Sequence, residues 1–137
     1  MKKVGNQTYM LDNPVTILET ASIVGKKEAD GPLAKYFDIC LEDEFYGEKT
    51  WEKAEAKMIK TAINNVIRKA NLSISDIDYL LAGDLLNQCI SSSFGVRDFE
   101  IPFMRNLWCL FNFCRRTRNW FYAFRWWSWK LRCYGYI

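Results

Sequence analysis

The stretch Tyr79-Leu80-Leu81-Ala82-Gly83-Asp84-Leu85-Leu86-Asn87-Gln88 decides how the rest of the chain is read. Its first four residues are apolar without alternation and the run stops at a glycine. A run of that kind fits a strand covered on both faces, the habit of parallel sheets. The residues that follow then form the loop at the strand's carboxyl end, where open α/β sheets place ligands. Asp84, Asn87 and Gln88 are the candidate ligand-binding residues of that loop. The amides of Asn87 and Gln88 can donate to carboxylates, whereas Asp84 has the wrong charge to touch a dianion directly. The competing assignment is that Asp84 and Asn87 hold the loop and cap the turn after it.

Upstream, Ser73-Ile74-Ser75-Asp76-Ile77-Asp78 predicts a short capped turn, and residues 51–70 predict a long helix. Thr50 caps that helix and Glu52 sits in its first turn, facing the positive end of the helix dipole. Ala54, Met58, Ala62, Val66 and Ala70 form an apolar stripe flanked by Trp51, Ile59, Ile63 and Ile67, with most lysines off it. Asn71 is a left-handed stop. Downstream, Ser91-Ser92-Ser93 start a second helix through Asp98, as its N-cap rather than as nucleophiles, and Ile101-Pro102-Phe103 begins a further strand. Towards the N-terminus, Val15–Leu18 and Ser22–Val24 are β-rich and end at Gly25. Gly31-Pro32-Leu33 breaks the chain before a short amphipathic stretch, and the acidic run Glu42-Asp43-Glu44 belongs to a solvated loop. Strand, helix, strand, helix, strand is an α/β order.

The composition changes near Phe103. Residues 1–100 hold all 16 acids and 12 Lys/Arg; residues 101–137 hold seven Lys/Arg and no acid. Five of the six tryptophans lie in the tail. The expected organisation is therefore residues 1–103 as an α/β piece and residues 104–137 as a tail without native fold. The basic start at Met1 lacks an apolar core, so no signal peptide is expected, and no apolar run is long enough for a membrane span. With five cysteines and no histidine, neither a metal nor a cofactor is expected.

At Gly5-Asn6-Gln7-Thr8, Gly31-Pro32-Leu33, Phe37-Asp38, Trp51-Glu52, Ala54-Glu55, Asp76-Ile77-Asp78 and Ala82–Gln88, through Ile101-Pro102-Phe103, the chain resembles the stage V sporulation protein AD family of thiolase-like proteins. The Asp-Ile-Asp turn is common to many condensing enzymes; the Ala-Gly-Asp-Leu-Leu-Asn-Gln string is far more specific. The resemblance implies an incomplete thiolase-like mixed sheet over residues 1–103. It implies a protein that binds dipicolinic acid and acts with other stage V sporulation proteins of the same operon. It further implies a place on the cytoplasmic side of the developing spore, at the inner spore membrane. It is compatible with a homodimer in the intact family member, and no nucleic-acid partner is implied. The alternative is a fragment of an acyl-transferring condensing enzyme of the same fold.

In that family a Gly-Ala-Cys-Ser-Thr turn follows the Ile-Pro-Phe strand; here Trp108-Cys109-Leu110-Phe111-Asn112 stands there. The genetic code supplies a test. If each codon gives up its first base and takes the first base of the next, every Trp becomes Gly. Cys109, Leu110, Phe111 and Asn112 are then permitted to become Ala, Cys, Ser and Thr, and Trp126-Trp127 becomes Gly-Gly. A base gained or lost near codons 103–105 explains the tail on this reading. The rival readings are a nucleic-acid surface of cations among aromatics, or an interfacial helix. Against both, the rings at 120, 121, 122, 124, 126, 127 and 129 surround a helix instead of lining one face. Leu110, at the position of the lost cysteine, is no nucleophile, and without histidine the usual general base is missing. No catalysis is expected.

Overall fold

The computed structural model describes residues 2–6, 8–10, 16–84, 86 and 89–105, and residues 132–136 by their backbone. Along them run β1 (Lys2–Val4), β2 (Thr8–Met10), β3 (Ile23–Val24), α1 (Lys26–Ala29), β4 (Ile39–Cys40), α2 (Trp51–Lys69), β5 (Tyr79–Gly83), α3 (Ile90–Val96), β6 (Phe103–Arg105) and β7 (Arg132–Tyr136). β1 and β2 form an antiparallel hairpin, and β3 pairs in parallel with β4. The third sheet has the order β6-β5-β7 and is parallel throughout. The expected mixture of helices and parallel strands is what the chain forms.

Strand β5 occupies the centre of that sheet because its sequence can bear burial on both sides. Leu80 and Ala82 are fully buried and Leu81 nearly so. Leu80 stands opposite Phe103 and Ala82 opposite Arg105 of β6. Of the stretch 104–137, Met104 and Arg105 extend β6, and Arg132–Tyr136 run beside β5 from Tyr79 to Gly83. Residues 106–131, Leu110 among them, lie outside the described residues.

Helix α2 begins and ends as its sequence predicts. Thr50 has extended backbone, and its hydroxyl accepts from the Lys53 amide at 3.3 Å. At the other end Asn71 takes φ 53°, the Leu72 amide donates to Ile67 O and the Asn71 amide to Arg68 O. That pair of bonds is the Schellman motif, and Leu72 packs on the core behind it. The turn after it also forms as expected. Asp76 accepts from the Ser73 amide and Ser73 caps in return, a capping box that leads the chain into β5.

The buried row of α2 differs from the expected one by one residue. Ile59, Ile63 and Ile67, the expected flank, form its centre with Glu55 upstream. Of the expected stripe Ala54 is buried but Met58, Ala62 and Val66 are only half-buried, and Trp51 is exposed. One residue is 100° of helix, so the facing sheet selects the isoleucines, which fill more space than the alanines at the same approach. They meet Ile77, Leu80, Ala82, Val96 and Phe99. The N-terminal expectation is also corrected. Thr16–Leu18 form no strand, Ile17 and Leu18 are exposed, and only Ile23–Val24 pairs. A β-rich composition makes a strand only where a neighbour supplies hydrogen bonds, and among the described residues none pairs with 16–18.

Helix α3 crosses α2 at Gly95. A Cβ built there would lie 2.7 Å from Ala56 O and 3.2 Å from Ile59 Cβ. Backbone cannot yield as a flexible side chain does, so Gly95→Ala is expected to cost about 1–3 kcal/mol by forcing α3 off α2. A shift in the urea midpoint reads it; an unchanged midpoint would mean that the crossing is looser than this.

Asp38, next to β4, ties three segments together. Its carboxylate accepts from the Ser22 amide at 2.8 Å and from Lys69 Nζ at 2.8 Å, and Lys69 also donates to Thr20 O at 2.7 Å. The Lys69 bond, then the Ser22 bonds, hold the Asp38 carboxyl below its usual 3.8. Because the folded value is depressed, this contribution is present above the unfolded value and fades as the pH falls through the folded one. Asp38→Asn is expected to cost under about 1 kcal/mol at pH 7, as for half-exposed ion pairs. The cost should begin to shrink below about pH 4 and vanish once the pH is below the depressed folded value, where both chains carry a neutral group. Parallel urea melts at pH 7 and pH 3 check the sign, and an equal cost at both would remove the ion pair from the account.

Candidate functional site

The loop after β5 begins with a buried carboxylate. Asp84 is 4% exposed and accepts from the Cys89 amide at 2.8 Å and from the Ser92 amide at 2.6 Å. Both donors are backbone groups that open α3 and have no partner inside the helix. Cys89, itself buried, takes the left-handed conformation at φ 72° as the residue before α3. Its carbonyl accepts from the Ser93 hydroxyl at 2.6 Å and from the Ser92 hydroxyl at 3.2 Å. Of the three serines expected as the N-cap, Ser92 and Ser93 therefore bond backward from inside the first turn. The N-cap position is Cys89, and the capping acceptor is the Asp84 carboxylate. A carboxylate reaching across the loop satisfies two donors at once, which a serine hydroxyl in the run cannot do.

Of the three candidate ligand-binding residues, Asp84 is thus turned inward onto α3. Asn87 and Gln88 lie outside the described residues. The part of the loop that is placed, Leu86, borders a cleft of about 320 Å³ between α1 and the N-terminal half of α2. Trp51, Ala54 and Met58 make its apolar wall, and Gly25–Glu28 close the side at the carboxyl end of β3. Phe45 packs against Trp51 with ring centroids 4.4 Å apart and the rings tilted by 34°. The polar lining is Lys26, Lys27, Glu28, Glu44 and Glu55. Three carboxylates against two ammonium groups do not favour a dianion, so the cleft suits a neutral or cationic group better.

Glu55 is the functional-looking residue that the sequence reading passed over. It is 8% exposed and sits at the upstream end of the buried row of α2, on the cleft. The signal was available: 55, 59, 63 and 67 are evenly spaced by four, so a core row at Ile59–Ile63–Ile67 places the carboxylate of Glu55 on it. Among the described residues no group of three or more histidine, cysteine or acidic side chains is placed to hold a metal. Nor is any helix among them long and apolar enough to cross a membrane.

A buried parallel strand, a long helix on its face and a polar loop at its carboxyl end define an α/β protein with its candidate site beside that loop. The chain belongs to the stage V sporulation protein AD family: the model of that family, described as Stage V sporulation protein AD, matches residues 5–119. It is 39% identical over 114 residues to Stage V sporulation protein AD of Bacillus subtilis (strain 168), an alignment covering 83% of this chain. That alignment covers 32% of the relative, so the chain spans about a third of its length. The family match continues past Phe103 to residue 119, into the stretch that composition sets apart.

Proposed function

We propose that the intact form of this protein binds dipicolinic acid and takes part in its uptake into the developing spore, with this chain supplying the first third of a thiolase-like fold. Membership of the sporulation family over residues 5–119 carries the reading. Its partners are then other stage V sporulation proteins, and its place is the inner spore membrane. The Asp-Leu-Leu-Asn-Gln loop lies at the strand end where such folds receive ligands, with Asn87 and Gln88 as donors to the carboxylates. Asp84, bonded to the amides of Cys89 and Ser92, holds the start of α3 and on this reading stays out of contact with the dianion.

On the same reading the chain is a binding protein without catalysis. Leu110 stands where condensing enzymes of this fold carry a cysteine, and the sequence has no histidine. The tail is proposed to be a shifted continuation of the gene, with the base change around codons 103–105. The family match beyond Phe103 is the observation against that shift. The gene itself decides it: an uninterrupted frame through codon 105, with no Gly-Ala-Cys-Ser-Thr in the neighbouring frame, removes the proposal.

Titration calorimetry with dipicolinate tests the function, on this chain and on a version whose frame is restored through its full length. The restored protein is expected to bind and the present chain to show no heat beyond dilution. An acyl group taken up from acyl-coenzyme A on the restored cysteine, with no dipicolinate binding, would favour the condensing enzyme instead.

A further inference from the structure

We draw no further inference here: the strongest candidate, the apolar ridge that Leu86, Ile90 and Phe94 expose along the loop after β5 and helix α3, is an unpartnered face, and nothing in the structure shows what covers it.

Discussion

Truncating Ile63 to alanine is expected to cost about 2–5 kcal/mol, a large part of the stability of any domain this size. Ile63 is 1% exposed at the middle of the row that α2 presents to β5. Its neighbours in the core, Ile59, Ile67, Leu80 and Ala82, are held by a long helix and a paired strand. Neither element can close over the lost methyl groups without moving as a whole, so most of the cavity should remain. Met58→Ala is the informative control. Met58 is half-buried on the cleft side, and a flexible side chain at a partly open site leaves less behind. Pulse proteolysis across a urea series reads both variants, with the Ile63 change the larger by at least about 1 kcal/mol. Equal losses would return the centre of the helix to the Met58–Ala62–Val66 stripe.

That comparison also separates what the sequence could reveal from what it could not. Features fixed by neighbours in the chain were legible. Thr50 and Lys53 are three residues apart, Asn71 and Leu72 close on Ile67 and Arg68, and Ser73 meets Asp76. Apolar continuity pointed to β5 as a strand buried on both faces in a parallel sheet, since Leu80, Leu81 and Ala82 are all covered. It did not point to β7 beside it, because residues 104–137 read as a tail without native fold. Features fixed across the fold were not legible. Two apolar rows on α2 differ by a single residue, and the choice between them depends on the sheet they meet. Among the described residues no strand pairs with the β-rich residues 16–18, which no local pattern discloses. The α3 cap was legible in part: Asp84 was open to assignment as the residue that holds the loop and caps the turn after it, but the serine run competed for the same role. Ser91-Ser92-Ser93 looks like a cap by type, yet Asp84, five and eight residues before the amides it receives, reaches them through the fold of the loop.

Asp84 therefore gives the second large effect, and the one that bears on the site. Removing its side chain in Asp84→Ala takes the acceptor away from the amides of Cys89 and Ser92 in a buried place. Hydrogen bonds to charged groups contribute roughly 1.5–3 kcal/mol each, so a total loss on the order of 3 kcal/mol is expected. The left-handed backbone of Cys89 adds to it, because strained φ values persist only where the surroundings enforce them. Asp84→Asn keeps one acceptor oxygen and should lose about half as much. Amide hydrogen exchange locates the effect: protection should fall first at Cys89 and Ser92 in the alanine variant, with β5 following only on global unfolding. The pair of variants also tests the ligand role. If Asp84 only holds the loop, the asparagine variant of an intact family member should keep its dipicolinate affinity within about threefold, a difference below 1 kcal/mol. If Asp84 touches the ligand, removing its negative charge beside a dianion should raise the affinity well beyond that. Unchanged protection at Cys89 and Ser92 after Asp84→Ala would show that α3 does not depend on this cap.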